Sequence, residues 1–140
     1  MTRYFAYGAN MDPVHMAEHC PTARRLGTAM LPGHGFRIAA KGYGNAAVAP
    51  GESVHGVLWE LEPADEAALD AFEGVAEGLY HKTRAAVRSK DGAPVSAMLY
   101  LPTDSAPGRP VPGYLERIIE VAESLAFPPA YLQELHALLL

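Results

Sequence analysis

The chain reads as an α+β domain with enough strands for a small barrel or a strongly curled sheet. Three observations carry that expectation. An aromatic, β-favouring run, Tyr4-Phe5-Ala6-Tyr7, stands directly ahead of a helix start at Asp12-Pro13. Residues 24 to 62 hold short β-like runs punctuated by Gly and Pro. Helical periodicity returns near both ends and frames this β region. The 140 residues fit one domain, 1–140, which buries roughly two-thirds of its unfolded surface and needs no covalent staple.

The elements follow in order. Gly8 ends the first strand, and Gly8-Ala9-Asn10-Met11 forms a tight loop. Asp12 as N-cap and Pro13 at the first helical position open a helix to about His19, which Cys20-Pro21 stops. Leu26 to Leu31 and Phe36 to Ala40 are expected as two strands around Pro32-Gly33-His34-Gly35. Gly42 to Asn45 is a glycine-rich link, Ala46 to Ala49 a short strand, and Pro50-Gly51 a turn. Val54 to Leu61 reads most clearly as a strand, with Val57, Trp59 and Leu61 on one face and Leu58 and Glu60 on the other. Pro63 opens an acidic-fronted helix on which Ala68, Leu69 and Phe72 share an apolar side, ending near Glu73-Gly74. Leu79 to Arg88 and Val95 to Leu101 form a hairpin with Lys90-Asp91-Gly92 at its tip. An extended, proline-bearing loop from Thr103 to Pro112 leads into a helix from Gly113-Tyr114 to about Ala126. Pro128-Pro129 breaks it, and a last helix runs through Tyr131, Leu132, Leu135 and Leu138.

Composition excludes several classes of function. Apolar residues make up 49% and charged residues 19%, an ordinary globular balance. The net charge is −5 with acids and bases interspersed, so no basic footprint for nucleic acid is visible. No run approaches the ~18 apolar residues of a membrane span. Residues Met1 to Gly8 lack the apolar core of a secretory signal. The single cysteine, Cys20, allows no internal disulfide. A cytoplasmic protein with a small-molecule or protein partner is expected.

Four groups of residues could carry chemistry. The loop from Gly8 to Asn10 lies before a helix N-terminus, where main-chain N–H groups can hold a carboxylate or oxyanion; an ordinary strand-to-helix turn reads the same way. Glu73, between Phe72 and Gly74-Val75, is either a carboxylate raised by apolar neighbours, suited to general base work, or one solvated acid among Glu62, Asp65, Glu66, Asp70 and Glu77. Tyr80 and Tyr114 each stand beside a turn and either line a polar pocket or pack in the core. His15-Met16-Ala17-Glu18-His19 matches the H-x-x-E-H pattern of inverted zinc peptidases. Its helix is short and no third ligand follows, so a surface histidine pair without metal is the reading adopted. The Gly-rich stretches lack a phosphate-loop Lys-Ser or Lys-Thr, no serine sits in G-x-S-x-G, and Cys20 beside His19 does not make a dyad.

Taken together, the blocks resemble one family. Tyr4-Phe5-Ala6-Tyr7-Gly8-Ala9-Asn10-Met11 resembles the Y-F-A-Y-G-S-N signature of the γ-glutamylcyclotransferases. Leu69-Asp70-Ala71-Phe72-Glu73-Gly74-Val75 with Gly78-Leu79-Tyr80 resembles their L-D-x-x-E-G-V-x-x-G-x-Y block. Gly56-Val57-Leu58-Trp59, Pro112 to Ile119 and Pro128 to Leu138 resemble further blocks in the right order. The resemblance implies a γ-glutamylcyclotransferase-like mixed barrel of about five to six strands with flanking helices. It implies cyclisation of a γ-glutamyl amide to 5-oxoproline, with Glu73 as the catalytic acid/base. Tyr7, Gly8, Ala9, Asn10, Tyr80 and Tyr114 are then expected to bind substrate. No cofactor and no metal are implied. The expected partner is a small γ-glutamyl compound, with no nucleic acid and no membrane, and a homodimer is left open. Ala9 stands where the family usually has Ser: if the loop works through backbone N–H groups, Ala9 still supplies one, and if the hydroxyl contacts substrate, specificity or rate is altered. The alternative is a non-catalytic small-molecule-binding module on the same fold.

Overall fold

The computed structural model describes residues 1–140 as five strands and four α-helices. The strands close into a barrel in the spatial order β1-β3-β2-β4-β5. β1 (Thr2–Ala6) lies antiparallel to β3 (Gly44–Leu61), pairing Tyr4 with Trp59 and Ala6 with Val57. β1 also meets β5 (Pro94–Pro102) in parallel, through Tyr4 and Met98, and this contact closes the ring. β2 (Arg24–Ile38) joins β4 (Tyr80–Ser89) through Ala29 and Met30, and β4 and β5 form the expected hairpin, from Tyr80↔Pro102 to Arg88↔Pro94.

The largest departure from the sequence reading is the hairpin β2–β3. The two strands expected between Leu26 and Ala40 are one strand, and so are the pieces from Ala46 to Leu61. The punctuating residues are absorbed as bulges. Pro32 pairs with Ser53 and His34 with Val48, so residues 49–52 stand opposite Gly33. Gly33 and Gly51 take positive φ there, +74° and +86°. A Pro-Gly pair that would end an isolated strand bends one whose long partner continues to supply the ladder. Beyond this bend the hairpin leaves the other strands, and its end is held by the loop before α3: Ala39 bridges Pro107, Gly108 N–H donates to the Ile38 carbonyl at 3.0 Å, and within the tip Ala39 N–H donates to the Tyr43 carbonyl at 2.9 Å.

The helices keep to their sequence signals. α1 (Pro13–His19) is capped by Asp12, whose carboxylate accepts the Val14 N–H at 3.0 Å. α2 (Pro63–Phe72) begins where Asp65 reaches back to the Glu62 N–H at 2.9 Å. α3 (Tyr114–Ser124) buries Leu115, Ile118, Ile119 and Ala122 against the barrel, and α4 (Pro129–Ala137) packs on α3 through Tyr131 and Leu135. One core of 31 residues runs through barrel and helices, including Phe5, Val54, Val57, Leu61, Leu69, Val87 and Leu99. No helix is long and apolar enough to cross a membrane.

Gly56 marks the tightest point of the core. A Cβ there would lie 2.3 Å from the Ala6 carbonyl oxygen and 2.8 Å from the Phe5 ring. Both obstacles sit on β1, so neither can retreat without opening the β1–β3 ladder. We therefore expect Gly56→Ala to cost about 2 kcal/mol or more. Urea unfolding checks this, with a wild-type midpoint contradicting it.

Candidate active site

Strand direction decides what meets at one end of the barrel. β1 runs parallel to β5 and antiparallel to β3, so the end of β1, the end of β5 and the start of β4 lie together. A cavity of about 660 Å³ opens there. Tyr7, Gly8, Ala9, Asn10, Glu73, Tyr80 and Tyr114, the residues singled out from the sequence, all line it.

Glu73 reaches the cavity through the way α2 ends. Gly74 takes φ +65°, the left-handed conformation that favours glycine. Val75 N–H then donates to the Asp70 carbonyl at 3.0 Å, and Gly74 N–H to that of Ala71 at 3.2 Å. This is the Schellman pattern, and it leaves Glu73 as the C-cap. Asp70 also holds the helix sideways, accepting the Tyr100 hydroxyl at 2.7 Å and pairing with Lys82 at 3.0 Å. The Glu73 carboxylate is half-buried, and no hydrogen-bond donor of the protein reaches it. Desolvation raises its pKa from 4.5 to about 7.

The loop opposite presents its backbone. Met11 and Asp12 donate their N–H groups to Gly8 and Ala9 and form a turn of 3₁₀-helix, Ala9–Met11. The turn's own hydrogen bonds use the N–H groups of Met11 and Asp12, not those of Ala9 and Asn10. The start of α1 does not add to them as the sequence suggested, because Asp12 occupies it and is in turn gripped by Arg117. Asn10 is 3% exposed and committed on three sides. Its Nδ2 donates to the Tyr4 hydroxyl at 3.0 Å, its carbonyl accepts Trp59 Nε1 at 3.1 Å, and its Oδ1 lies 2.9 Å from His15 Nδ1. The amide's orientation requires His15 to donate at Nδ1. Asn10 thus locks the loop to the barrel, and what it offers the cavity is its N–H.

The tyrosines divide in the same way. Tyr7 is a strut, its hydroxyl donating to the Tyr100 carbonyl at 2.7 Å. Tyr114 accepts the Gly44 N–H at 3.0 Å, and a Cβ on Gly8 would lie 3.0 Å from its oxygen, so loop and hydroxyl are neighbours. Burial, then the Glu73 charge, pushes Tyr80 up to about 12. Burial likewise holds Tyr4, Tyr7 and Tyr114 well above the ordinary phenol range, with Glu73 adding to each. All four stay protonated near neutral pH.

Several lining residues had no local signal in the sequence. Tyr43 and Tyr100 reach the cavity through the hairpin tip and strand register, which no short motif encodes, and Tyr4, part of the opening signature, reaches it from β1. His15 also lines it, and the histidine pair is not a surface feature. Both rings are half-buried, 4.9 Å apart, and packed on Phe72 at 5.5 and 4.0 Å. Phe72 itself, read as an apolar-face residue, is 47% exposed, since Asp65 and Leu69 are the residues α2 buries. No group of three or more metal-ligating side chains converges anywhere in the structure. Cys20 lies outside the cavity, and burial pushes its thiol up to about 11, away from nucleophilic use.

A closed five-strand mixed barrel with four flanking helices is the γ-glutamylcyclotransferase-like fold. A model of the AIG2-like family matches residues 53–135, more than half of the chain, and the chain belongs to that family. Gamma-glutamylcyclotransferase of Mus musculus is 28% identical over 148 residues, covering 96% of this chain and 77% of that protein. The Homo sapiens protein of the same name is 27% identical over 147 residues with the same coverage. A solved structure named gamma-glutamyl cyclotransferase superposes with a TM-score of 0.89 at 25% identity, covering 97% of this chain and 86% of the other. YkqA of Bacillus subtilis shares the fold, with a TM-score of 0.83 at 22% identity over 99% of this chain and 54% of its own.

A raised carboxyl has a consequence for stability. Its proton is bound more tightly in the folded state, so its contribution is fully present below about 4.5 and is lost as pH rises through about 7. Glu73→Gln should leave stability nearly unchanged at pH 4. At pH 8 it should raise stability by about 1–3 kcal/mol. Urea unfolding at the two pH values checks this, and an equal change at both would contradict the burial of the charge.

Proposed function

We propose that the protein is a γ-glutamylcyclotransferase that converts a γ-glutamyl amide to 5-oxoproline and a free amine. The observation that carries this reading is Glu73: a carboxylate with no protein hydrogen-bond partner, raised to about 7, lining the same cavity as the loop from Gly8 to Asn10. A base of that pKa is half ionised near neutral pH, where it both accepts and returns a proton efficiently.

The substrate carries its own nucleophile. Ionised Glu73 takes a proton from the α-ammonium, and the freed amine attacks the γ-carbonyl carbon, forming the ring C–N bond. Negative charge develops on the carbonyl oxygen, where the N–H groups of Ala9 and Asn10 can receive it. Protonated Glu73 gives its proton to the departing nitrogen, the tetrahedral centre collapses and the original amide C–N bond breaks; Glu73, ionised again, takes the second proton from the ring nitrogen and passes it to the released amine, which leaves as an ammonium. No water is consumed, and the sequence of steps uses no metal and no protein nucleophile. Holding amine and carbonyl in contact supplies much of the rate. Tyr80 and Tyr114, protonated throughout, serve as neutral donors to the glutamyl carboxylate.

Glu73→Gln should lower kcat by about 10²–10⁴ with the fold intact. Log kcat/KM of the wild type should rise with a slope near one up to pH ~7, as Glu73 ionises. Release of 5-oxoproline across a panel of γ-glutamyl compounds is the measurement. A folded Glu73→Gln protein turning over at the parent rate would sink the mechanism. If no γ-glutamyl compound yields 5-oxoproline yet several bind, the domain is a binding module.

Ala9 tests the backbone role separately. It is the first residue of a helical turn, where proline's φ is tolerated, so Ala9→Pro removes the N–H without forcing the chain. We expect a loss of about 10²–10³ in kcat for Ala9→Pro. Ala9→Ser, which keeps the N–H, should stay within about threefold. A tenfold gain in Ala9→Ser would instead assign the loop's work to a side-chain hydroxyl.

A further inference from the structure

Three large apolar side chains at this cavity are bare in front and held from behind. Phe72 is 47% exposed, Leu79 45% and Tyr43 44%, and all three line the cavity. The Phe72 ring rests on His19 and His15. Tyr43 meets Tyr114 edge-on at 5.1 Å. Leu79 is pinned at both ends of its peptide unit, its N–H donating to the Gly74 carbonyl and its carbonyl accepting the Thr103 N–H, each at 3.0 Å. Exposed apolar side chains scattered singly need no explanation, but three fixed around one opening do. Apolar surface held rigidly in water costs free energy in proportion to its area and recovers it only when covered.

The position of these residues says what part of a ligand would cover them. Phe72 precedes Glu73 in the chain, and Leu79 closes the turn that Glu73 caps. A glutamyl group brought to Glu73 and the loop amides has its amide nitrogen at the reacting carbon, and whatever that nitrogen carries occupies the rest of the cavity that Phe72, Leu79 and Tyr43 help to line. The fixed charges at the opening favour neither sign. Lys41 and Asp104 both line the cavity and both are exposed, and the other exposed cation there, Arg117, is paired with Asp12.

We propose that the amine half of the substrate is a bulky apolar amine, alkyl or aryl, seated between the Phe72–Leu79 pair and Tyr43. This rests on the reading that the cavity takes γ-glutamyl amides, and it names the class of amine released. An apolar amine gains affinity with every methylene it covers, by a few-fold each in a fitted site.

The test compares γ-glutamyl methylamide, butylamide, benzylamide and γ-glutamylglycine. With wild-type protein, kcat/KM should rise about tenfold or more from methylamide to benzylamide, with γ-glutamylglycine near methylamide. Leu79→Ser, shown folded by its thermal midpoint, should shrink the benzylamide-to-methylamide ratio to about threefold or less. Calorimetry on Glu73→Gln protein reads the same preference without turnover, as an affinity for benzylamide about tenfold above that for methylamide. This separates the two ideas: absence of 5-oxoproline with every amide defeats the reaction, whereas equal affinities defeat the apolar seat. If γ-glutamylglycine is the better substrate, the opening reads charge through Lys41 and the proposal is overturned. It is equally overturned if sedimentation shows a dimer that Leu79→Ser dissociates, since a second copy then covers the patch.

Discussion

Closure of the barrel through β1 is the constraint on which the rest depends. β1 has only five residues, yet it is hydrogen-bonded on both sides, to β3 antiparallel and to β5 parallel. A five-strand ring with one parallel joint brings the C-terminal ends of β1 and β5 to the same rim. The loop after β1 therefore opens beside Tyr100 and beside Tyr80, which pairs with the end of β5. The close approach at Gly56 is what allows β1 to sit deep enough for both ladders. Without that strand the loop amides would have no fixed relation to Glu73.

Two opposing devices then hold the site together. Around the loop, side-chain hydrogen bonds do the anchoring: Asn10 alone engages Tyr4, Trp59 and His15. At Glu73 the opposite holds, for the carboxylate is desolvated and no donor compensates it. An uncompensated charge is tolerated only if the backbone beneath it cannot relax, and the helix end supplies that rigidity. Gly74 fixes the C-cap, while the Asp70 carboxylate, bonded to Tyr100 and Lys82, fixes the last turn to β5 and β4. Stability is given up at one residue and recovered through its neighbours, as active sites commonly do.

Local chemistry made much of this legible. Asp12-Pro13 and Pro63 with its acids each opened a helix where their capping chemistry indicated, and Glu73-Gly74 closed one. The hairpin at Lys90-Asp91-Gly92 also formed as its turn residues required. The long β2–β3 hairpin did not follow from such signals. Pro32-Gly33 and Pro50-Gly51 look like chain reversals by themselves, and only a continuous partner strand turns them into bulges. Phe72 kept helical spacing yet stayed bare, because α2 presents Leu69 rather than its last turn to the core. His15 and His19 suggested a surface pair, whereas Phe72 and Asn10 draw them inward.

The sequence by itself determined where helices start and stop, which residues carry the family signatures, and that one acid follows an apolar residue at a helix end. These depend on neighbours a few residues apart, and capping, turn and periodicity rules act over that range. The tertiary structure alone decided that Glu73 is desolvated, that Tyr4, Tyr43 and Tyr100 line the same cavity, and that the Asn10 side chain is spent on structure. Each of these is a property of groups dozens of residues apart, brought together by strand register and ring closure. Burial and a raised pKa exist only once those distant groups exclude water from the same space.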